Sequence, residues 1–391
     1  MIRRPAFYAA LAAGLVLLWQ ALTVHFNRQD DWSALFHTGG FVAMPPAIAS
    51  EGTFHFRDEP GYDGQFYHFI AHDPFLRGDT RRFVDNPRLR WRRILVPALA
   101  WLLAFGQSDY VDSTYAVVIL AFIFLGVFWA SAYCARCALH PAFGLLFLVA
   151  PAVLVSIDCF TVDVALAALC CGLAWYGITG PSWCLFAILA LAPLARETGV
   201  MLIAAYAVYT AWRKDWRGPL LALLAACPYA FWLAWLARHT GPDSTVWASF
   251  IPFHGLLDRT LHPAQYALAS AWLRIAAILD YLAVLGIWLA VALTVRLARK
   301  RRPDLLHVAA ILFAAVFVAF LDQQQAWSEA GAFARTLSPL LIWLALIGVA
   351  ERFWLNCLPL AMAVLRLLFQ LEPQWHGVLH GVRITLRGVA R

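Results

Sequence analysis

Residues 114–133 read TYAVVILAFIFLGVFWASAY, twenty consecutive positions without a charge. About 20 apolar residues are what a helix needs to cross the hydrocarbon of a bilayer. Lipid offers no partner to a backbone N–H or C=O, so such a run has to be helical. A transmembrane barrel strand would alternate with a period of two, and this run is solid. Comparable runs occupy approximately 7–24, 94–107, 141–157, 160–177, 181–195, 198–212, 218–237, 272–294, 304–321 and 336–350. One more, 353–369, either spans or lies flat.

The composition agrees with this reading. Of 391 residues, 62% are hydrophobic and 14% charged, with a mean hydropathy of +0.68. A soluble domain carries roughly 25% charged residues, so this chain cannot be wholly wetted. The fold class expected is an all-α polytopic membrane protein.

The net charge of +7 reports orientation rather than a nucleic-acid partner. Lysine occurs only at 214 and 300. Basic clusters at Arg213, Lys214, Arg217 and at Arg296, Arg299, Lys300, Arg301, Arg302 lie between apolar runs, and short basic loops stay on the cytoplasmic side. The first run, Phe7 to Val24, follows Arg3-Arg4 and lacks a small-residue cleavage site, so it is expected to be an uncleaved span with its amino end inside. Counting from the clusters puts residues 196–197 and the loops 238–271 and 322–335 outside. Five runs separate the first loop from Arg196, yet both should be outside, so one run fails to cross. The short runs 94–107 and 181–195 are the candidates. The tail from Glu372 alternates Arg383, Arg387 and Arg391 with Val382, Ile384 and Leu386, and reads as a basic amphipathic helix, expected on the anionic inner leaflet if the chain ends inside.

Residues 25–92 form the one long polar stretch of the first half. Its aromatic residues, among them Trp32, Phe36, Phe41, Phe66, Phe69 and Phe75, suit short helices resting on the lipid–water boundary. None of the eight cysteines lies in this loop. Cys134 and Cys137 form a CxxC with no second pair, either two packed small residues or a thiol site.

The residues that could carry chemistry begin with Gly61-Tyr62-Asp63-Gly64-Gln65-Phe66-Tyr67-His68. Glycines on either side let the backbone turn and leave Asp63 accessible. Partial desolvation would raise its pKa towards that of a general base; alternatively Asp63 only caps the next helix. His68 and His72, spaced i, i+4 beside Asp73, are weak candidates for a divalent metal, which is possible but not required. Arg88, Arg90, Arg92 and Arg93 stand where the loop re-enters the bilayer, either snorkelling to lipid phosphates or clamping a lipid-linked phosphate. Arg196 and Glu197 sit between apolar runs with almost no linker, as do Asp158 and Asp163, and Glu329 and Arg335 frame residues 330–334. Charges so placed are functional candidates or mutual neutralisers.

YDGQFYHFIAHDP, LRWRRILVP, ARETG and ARTLSPL, read together with an uncleaved first span and a large outer loop, resemble the GT-C glycosyltransferases, and most closely bacterial membrane proteins associated with cell-surface glycopolymers. The likeness runs to about residue 350. It implies a GT-C-like helical bundle over 1–350, with 25–92 as first periplasmic loop carrying interfacial helices, and 351–391 as a C-terminal hydrophobic or interfacial helix with a basic tail. It further implies an inverting sugar transferase in the bacterial inner membrane, its site facing the periplasm. The donor would be a polyprenyl-phosphate sugar and the acceptor a glycan, lipid or protein. By that resemblance Asp63 is the catalytic acid or base. Arg90, Arg93, Arg196 and Arg335 hold the donor phosphate, and Tyr62, Gln65, Tyr67, Asp73, Asp163 and Glu197 support them. Relatives pair two acids in the first loop; here Asp73 or Glu59 would be the second. A transporter or flippase for lipid-linked sugars and a noncatalytic partner in glycopolymer assembly are the rival expectations.

Overall fold

A computed structural model describes residues 4–180, 183–243, 248–262 and 271–389; Arg391 lies outside them. Among the described residues the secondary structure is helical, with two isolated β-bridges, Gly39 to Phe56 and Ala248 to Leu321. The helices are α1 (Pro5–Asn27), α2 (Pro46–Ala49), α3 (Asp63–His72), α4 (Pro87–Arg92), α5 (Leu95–Leu103), α6 (Val111–Arg136), α7 (Pro151–Cys159), α8 (Asp163–Thr179), α9 (Trp183–Ala195) and α10 (Val200–Trp212). They continue with α11 (Arg217–His239), α12 (His254–Leu261), α13 (Ala271–Ala298), α14 (Leu305–Leu312), α15 (Gln324–Trp327), α16 (Ala330–Thr336), α17 (Ser338–Glu351), α18 (Leu358–Gln370) and α19 (Glu372–Val389).

Four of these, α1, α11, α13 and α6 with its preceding turn, are long and apolar enough to cross a membrane; counting each bent helix pair as one span raises the number to seven. Leu220, Leu223, Leu224 and Phe231 of α11 are all more than half exposed. An apolar face of that extent suits hydrocarbon better than water. In contrast α8 is buried from Asp163 to Ala174. Its small residues permit this: Gly172 sits against Ile188 and Trp129 so closely that a Cβ would clash with Ile188.

The bundle has two distinct ends. At one, Asn27 of α1 meets Gln374, and Arg93, Asp163, Glu197 and Arg335 come together. At the other, Tyr8 packs on His140, and Leu305 lines a cavity with Tyr176 and Arg213. Proline shapes several connections. Pro151 opens α7 after a 62° bend, and Pro339 opens α17 after a 63° bend from α16. At the first turn proline gives up an N–H that had no helical partner anyway.

This geometry resolves the odd crossing. α5 packs on α3 and on the start of α6: Trp101 meets Phe75 edge-on at 5.3 Å, and Thr114 Oγ1 donates to Ala100 O at 2.8 Å. Both ends of α5 therefore lie at the same end of the bundle. α9 instead runs from Leu185, in the Arg213 cavity, to Ala195 beside the Arg93 group. So 94–107 is the run that does not traverse and 181–195 does. With 353–369 also passing from Asn356, near Gly348, to Gln370 beside Tyr62, the tail ends up at the Arg93 end. α19 lies across the end of α1, with Gly377 against Asn27 and Gly381 against Phe26. The run 353–369 thus traverses rather than lying flat, and the tail lies away from the basic loops, so the condition for placing it on the inner leaflet is not met.

The first loop also differs from expectation. Phe36, Phe66, Phe69 and residues 64–71 of α3 are buried, so this part rests on protein rather than on lipid. Phe41, Trp32 and Phe75 are exposed. All eight cysteines are free, with Cys134 buried and Cys137 half-buried.

Candidate functional site

Asp63 is the first residue of α3, and the structure assigns it no capping bond. Its two carboxylate oxygens go to two arginines: Oδ1 is 2.7 Å from Arg90 Nη1, and Oδ2 accepts from Arg335 Nη2 at 2.7 Å. The turn before it is built for this. Gly61 adopts φ +78°, a left-handed conformation glycine tolerates. Gln65 holds that turn from behind, accepting from Gly39 N at 3.1 Å and donating to Pro60 O at 3.4 Å.

The four re-entry arginines diverge. Arg90 and Arg93 turn inward and are buried, while Arg92 pairs with Asp243 at 3.1 Å. Arg90 is gripped from behind by Asp85, which accepts from Nε at 2.9 Å and Nη2 at 2.7 Å. Arg93 makes the same two-pronged contact with Glu197, at 2.8 and 2.7 Å, and donates to Tyr67 Oη at 2.9 Å. Paired N–H donors matched to a planar carboxylate fix a guanidinium in direction as well as position. Snorkelling to lipid does not describe either side chain.

Arg196 pairs with Asp163 and donates to Thr336 Oγ1 at 2.8 Å. Arg335 lies 3.8 Å from Asp163 and 5.2 Å above the ring centre of Tyr62. Asp163 is thus at the same end as Asp63. Each charged residue stands at a helix break: α7 to α8, α9 to α10, α16 to α17. There the chain leaves backbone groups free and side chains converge. Arg196 and Arg335, with Asp63, Arg90, Arg93, Gln323 and Glu329, line a cavity of about 540 Å³, and Asp163 and Glu197 stand behind these arginines.

The electrostatics correct one expectation. Burial by itself would raise the Asp63 carboxyl, but Arg90, Arg335 and Arg93 more than offset it and hold the group well below the usual carboxylate range. Glu197 behaves alike: burial pushes up, Arg93 and Arg196 pull further down, from 4.5 to about 2. Both are firmly ionised. The arginines are not saturated by these carboxylates, since Arg335 Nε and Nη1 and Arg196 Nε are buried without a hydrogen-bond partner. A buried donor left so costs about 1–3 kcal/mol.

Of the residues expected here, Tyr62, Asp63, Tyr67, Arg90, Arg93, Asp163, Arg196, Glu197 and Arg335 come together, with Gln65 supporting the turn. Asp73 does not. It closes the far end of α3, accepting from Arg77 N and Gly78 N at 2.8 and 2.9 Å, so it is no second acid for Asp63. Glu59 pairs with His37 at 2.8 Å and lines a neighbouring cavity of about 330 Å³ with Tyr62 and Asp158. His68 and His72 face Asp112 and Glu51 on the reverse side of α3. Asp85 escaped the sequence reading, although an acid five positions before Arg90 was visible.

Neither a family model nor a curated protein nor a solved structure matches this chain. Its site has to be interpreted from its own geometry.

Proposed function

We propose that this chain transfers a sugar from a polyprenyl-phosphate donor to a glycan, lipid or protein hydroxyl at the periplasmic face of the bacterial inner membrane, in a GT-C-like bundle. The observation that carries the reading is the Asp63 carboxylate held between Arg90 and Arg335, beside arginine N–H groups that lack acceptors, in one cavity. Depth supports it as well. α9 and α10 have 13 residues each, about 20 Å of helix against a core of about 30 Å. The cavity at their junction is therefore recessed towards the leaflet, where a lipid-linked phosphate resides.

In the proposed step the acceptor oxygen forms a bond to the sugar C1 and the C1–O bond to phosphate breaks, inverting the centre. The bonding pair leaves with the phosphate, whose charge falls to the arginines. The acceptor proton passes to Asp63. An ion-paired Asp63 is a weak base at rest. A donor phosphate competing for Arg90 and Arg335 would raise its basicity, so the base is strengthened when the donor is in place. The arginines that line the cavity stand at one end of the bundle, whereas a carrier needs polar contacts along a path, which favours a one-sided enzyme.

The test is transfer of radiolabelled polyprenyl-phosphate sugar by the purified chain in vesicles. Asp63→Asn should lower transfer by about 10²–10³-fold, with an unchanged size-exclusion profile because Arg90 keeps Asp85. Equal transfer by the variant removes Asp63 from the chemistry. Label that crosses the bilayer with its bond intact establishes a carrier, and neither outcome leaves a noncatalytic partner.

A further inference from the structure

Behind Asp63, on the opposite face of α3, three donor atoms from distant parts of the chain converge. His68 Nε2 lies 2.7 Å from Asp112 Oδ1 and 3.2 Å from His72 Nε2, and His72 Nε2 lies 3.8 Å from the same Asp112 oxygen. The circle through these atoms has a radius of about 1.9 Å, so one point stands within 0.2 Å of the ~2.0–2.1 Å zinc–ligand distance from all three. Two imidazole nitrogens 3.2 Å apart also match the edge of a zinc tetrahedron. We infer that His68, His72 and Asp112 form a divalent transition-metal site of the zinc class, with the fourth position open to solvent past the partly exposed Asp112.

The surroundings supply what such a site needs. His72 Nδ1 faces Ser108 Oγ at 3.0 Å and a Glu51 carboxylate oxygen at 3.7 Å. A ligating histidine normally hands its other N–H to a carboxylate or hydroxyl, which fixes the ring and keeps Nε2 free for metal. Glu51, His68 and His72 can each place a donor atom within 4.8 Å of the others, and Glu51 stands on the Nδ1 side of His72, where it helps to orient the ring. His68 is fully buried and stacked on Phe36 at 4.0 Å, which leaves its ring little freedom to turn away. Its Nδ1 has no partner. That is true of either tautomer, so it limits affinity without choosing between a metal and a bare hydrogen-bonded triad.

The ligands belong to α3 and α6, with Glu51 from the loop between α2 and α3. A bound ion would staple the helix that presents Asp63 to the first long span after the loop. The role is structural, because α3 separates the ion from the carboxylate. The inference therefore stands apart from the transferase reading.

The test is the metal content of the full chain, purified in detergent and dialysed against metal-free buffer, together with Co²⁺ uptake read by its tetrahedral visible absorption. The wild type should retain about one zinc per chain and take up cobalt. His72→Gln and Asp112→Asn, checked for folding by size exclusion, should retain less than about a tenth of that. Glu51→Ala should weaken binding roughly 10-fold. Asp63→Asn should keep the full equivalent, so loss of transfer and loss of metal are separable. A wild type with neither zinc nor cobalt, or folded ligand variants with undiminished metal, would overturn the site.

Discussion

The two ends of the bundle both carry charge, and they use it differently. At the basic end Lys300, Glu351, His307 and Asp304 form a compact chain: Lys300 pairs with Glu351, which also meets His307 Nε2 at 2.8 Å, while Asp304 meets His307 Nδ1 at 2.6 Å. Lys300 and Glu351 keep 32% and 24% of their side chains in contact with solvent. At the other end Arg196 and Asp163 keep 5% and 3%, and the arginines retain N–H groups that no protein atom satisfies. A closed, half-wetted network is sufficient to fasten helix ends. A dry network with donors to spare costs stability by itself, which argues that something other than fastening maintains it.

Substitution at each end tests that contrast most severely. Asp163→Asn strips the carboxylate from Arg196 inside the protein, and breaking a buried pair in this way costs about 3–5 kcal/mol. Glu351→Gln removes a partner of Lys300 where water can take over, and the expected loss is about 1 kcal/mol. Thermal unfolding of both variants in the same detergent measures the ratio. Comparable losses would mean that the Asp163 end is as wet as the other, and the case for a special environment there would fail.

The next test separates position from charge. Gly64 approaches the backbone so closely that a Cβ would stand 2.1 Å from Cys159 O and 2.8 Å from Phe36 O. Gly64→Ala must push the start of α3 away from α7 and carry Asp63 with it, without altering an ionisable group. A displacement near 1 Å is worth on the order of 10²-fold in rate. Transfer should fall by that factor, while the loss of about 1 kcal/mol from Glu351→Gln at the far end should be the same with and without Gly64→Ala. Full activity would show that Asp63 does not depend on this contact.

Gly64 also shows what the sequence could disclose. The two glycines around Asp63 were legible as marking a special backbone, and Gly61 indeed takes a positive φ. Gly64 is helical instead, and its lack of a side chain serves close approach to Cys159, a residue of another helix. Apolar runs were legible because their signal is local. That 94–107 or 181–195 fails to cross was also legible, from their shortness and the count of runs; which of the two was not, because only the packing of Trp101 and Ala100 shows it. Where α19 sits is decided elsewhere, by the passage of 353–369 from Asn356 to Gln370. The direction of the Asp63 shift escaped for a similar reason: its desolvation was readable from neighbouring aromatics, but Arg335 lies 272 positions away. Embedded charges were readable as a set, as Arg196 and Glu197 were; their pairing needed the fold.

The smallest effect concerns acid. Glu197 has its folded pKa lowered from 4.5 to about 2, burial being outweighed by Arg93 and Arg196. A depressed carboxylate contributes stability that is complete above the unfolded value and disappears as pH falls through the folded one. Between pH 8 and 5 its contribution should therefore be constant, and between about 4.5 and 2 it should drain away. Many other carboxylates titrate in that window, so the informative quantity is the difference between wild type and Glu197→Gln. The variant should be less stable by roughly 2 kcal/mol above pH 5, and the gap should close as the medium is acidified towards pH 2.5. A gap that stays constant down to pH 2.5 would mean that the carboxylate is not ion-paired in the folded state. Arg93 would then be free for a ligand at rest, and the arginine end would be a more open anion trap than its geometry indicates.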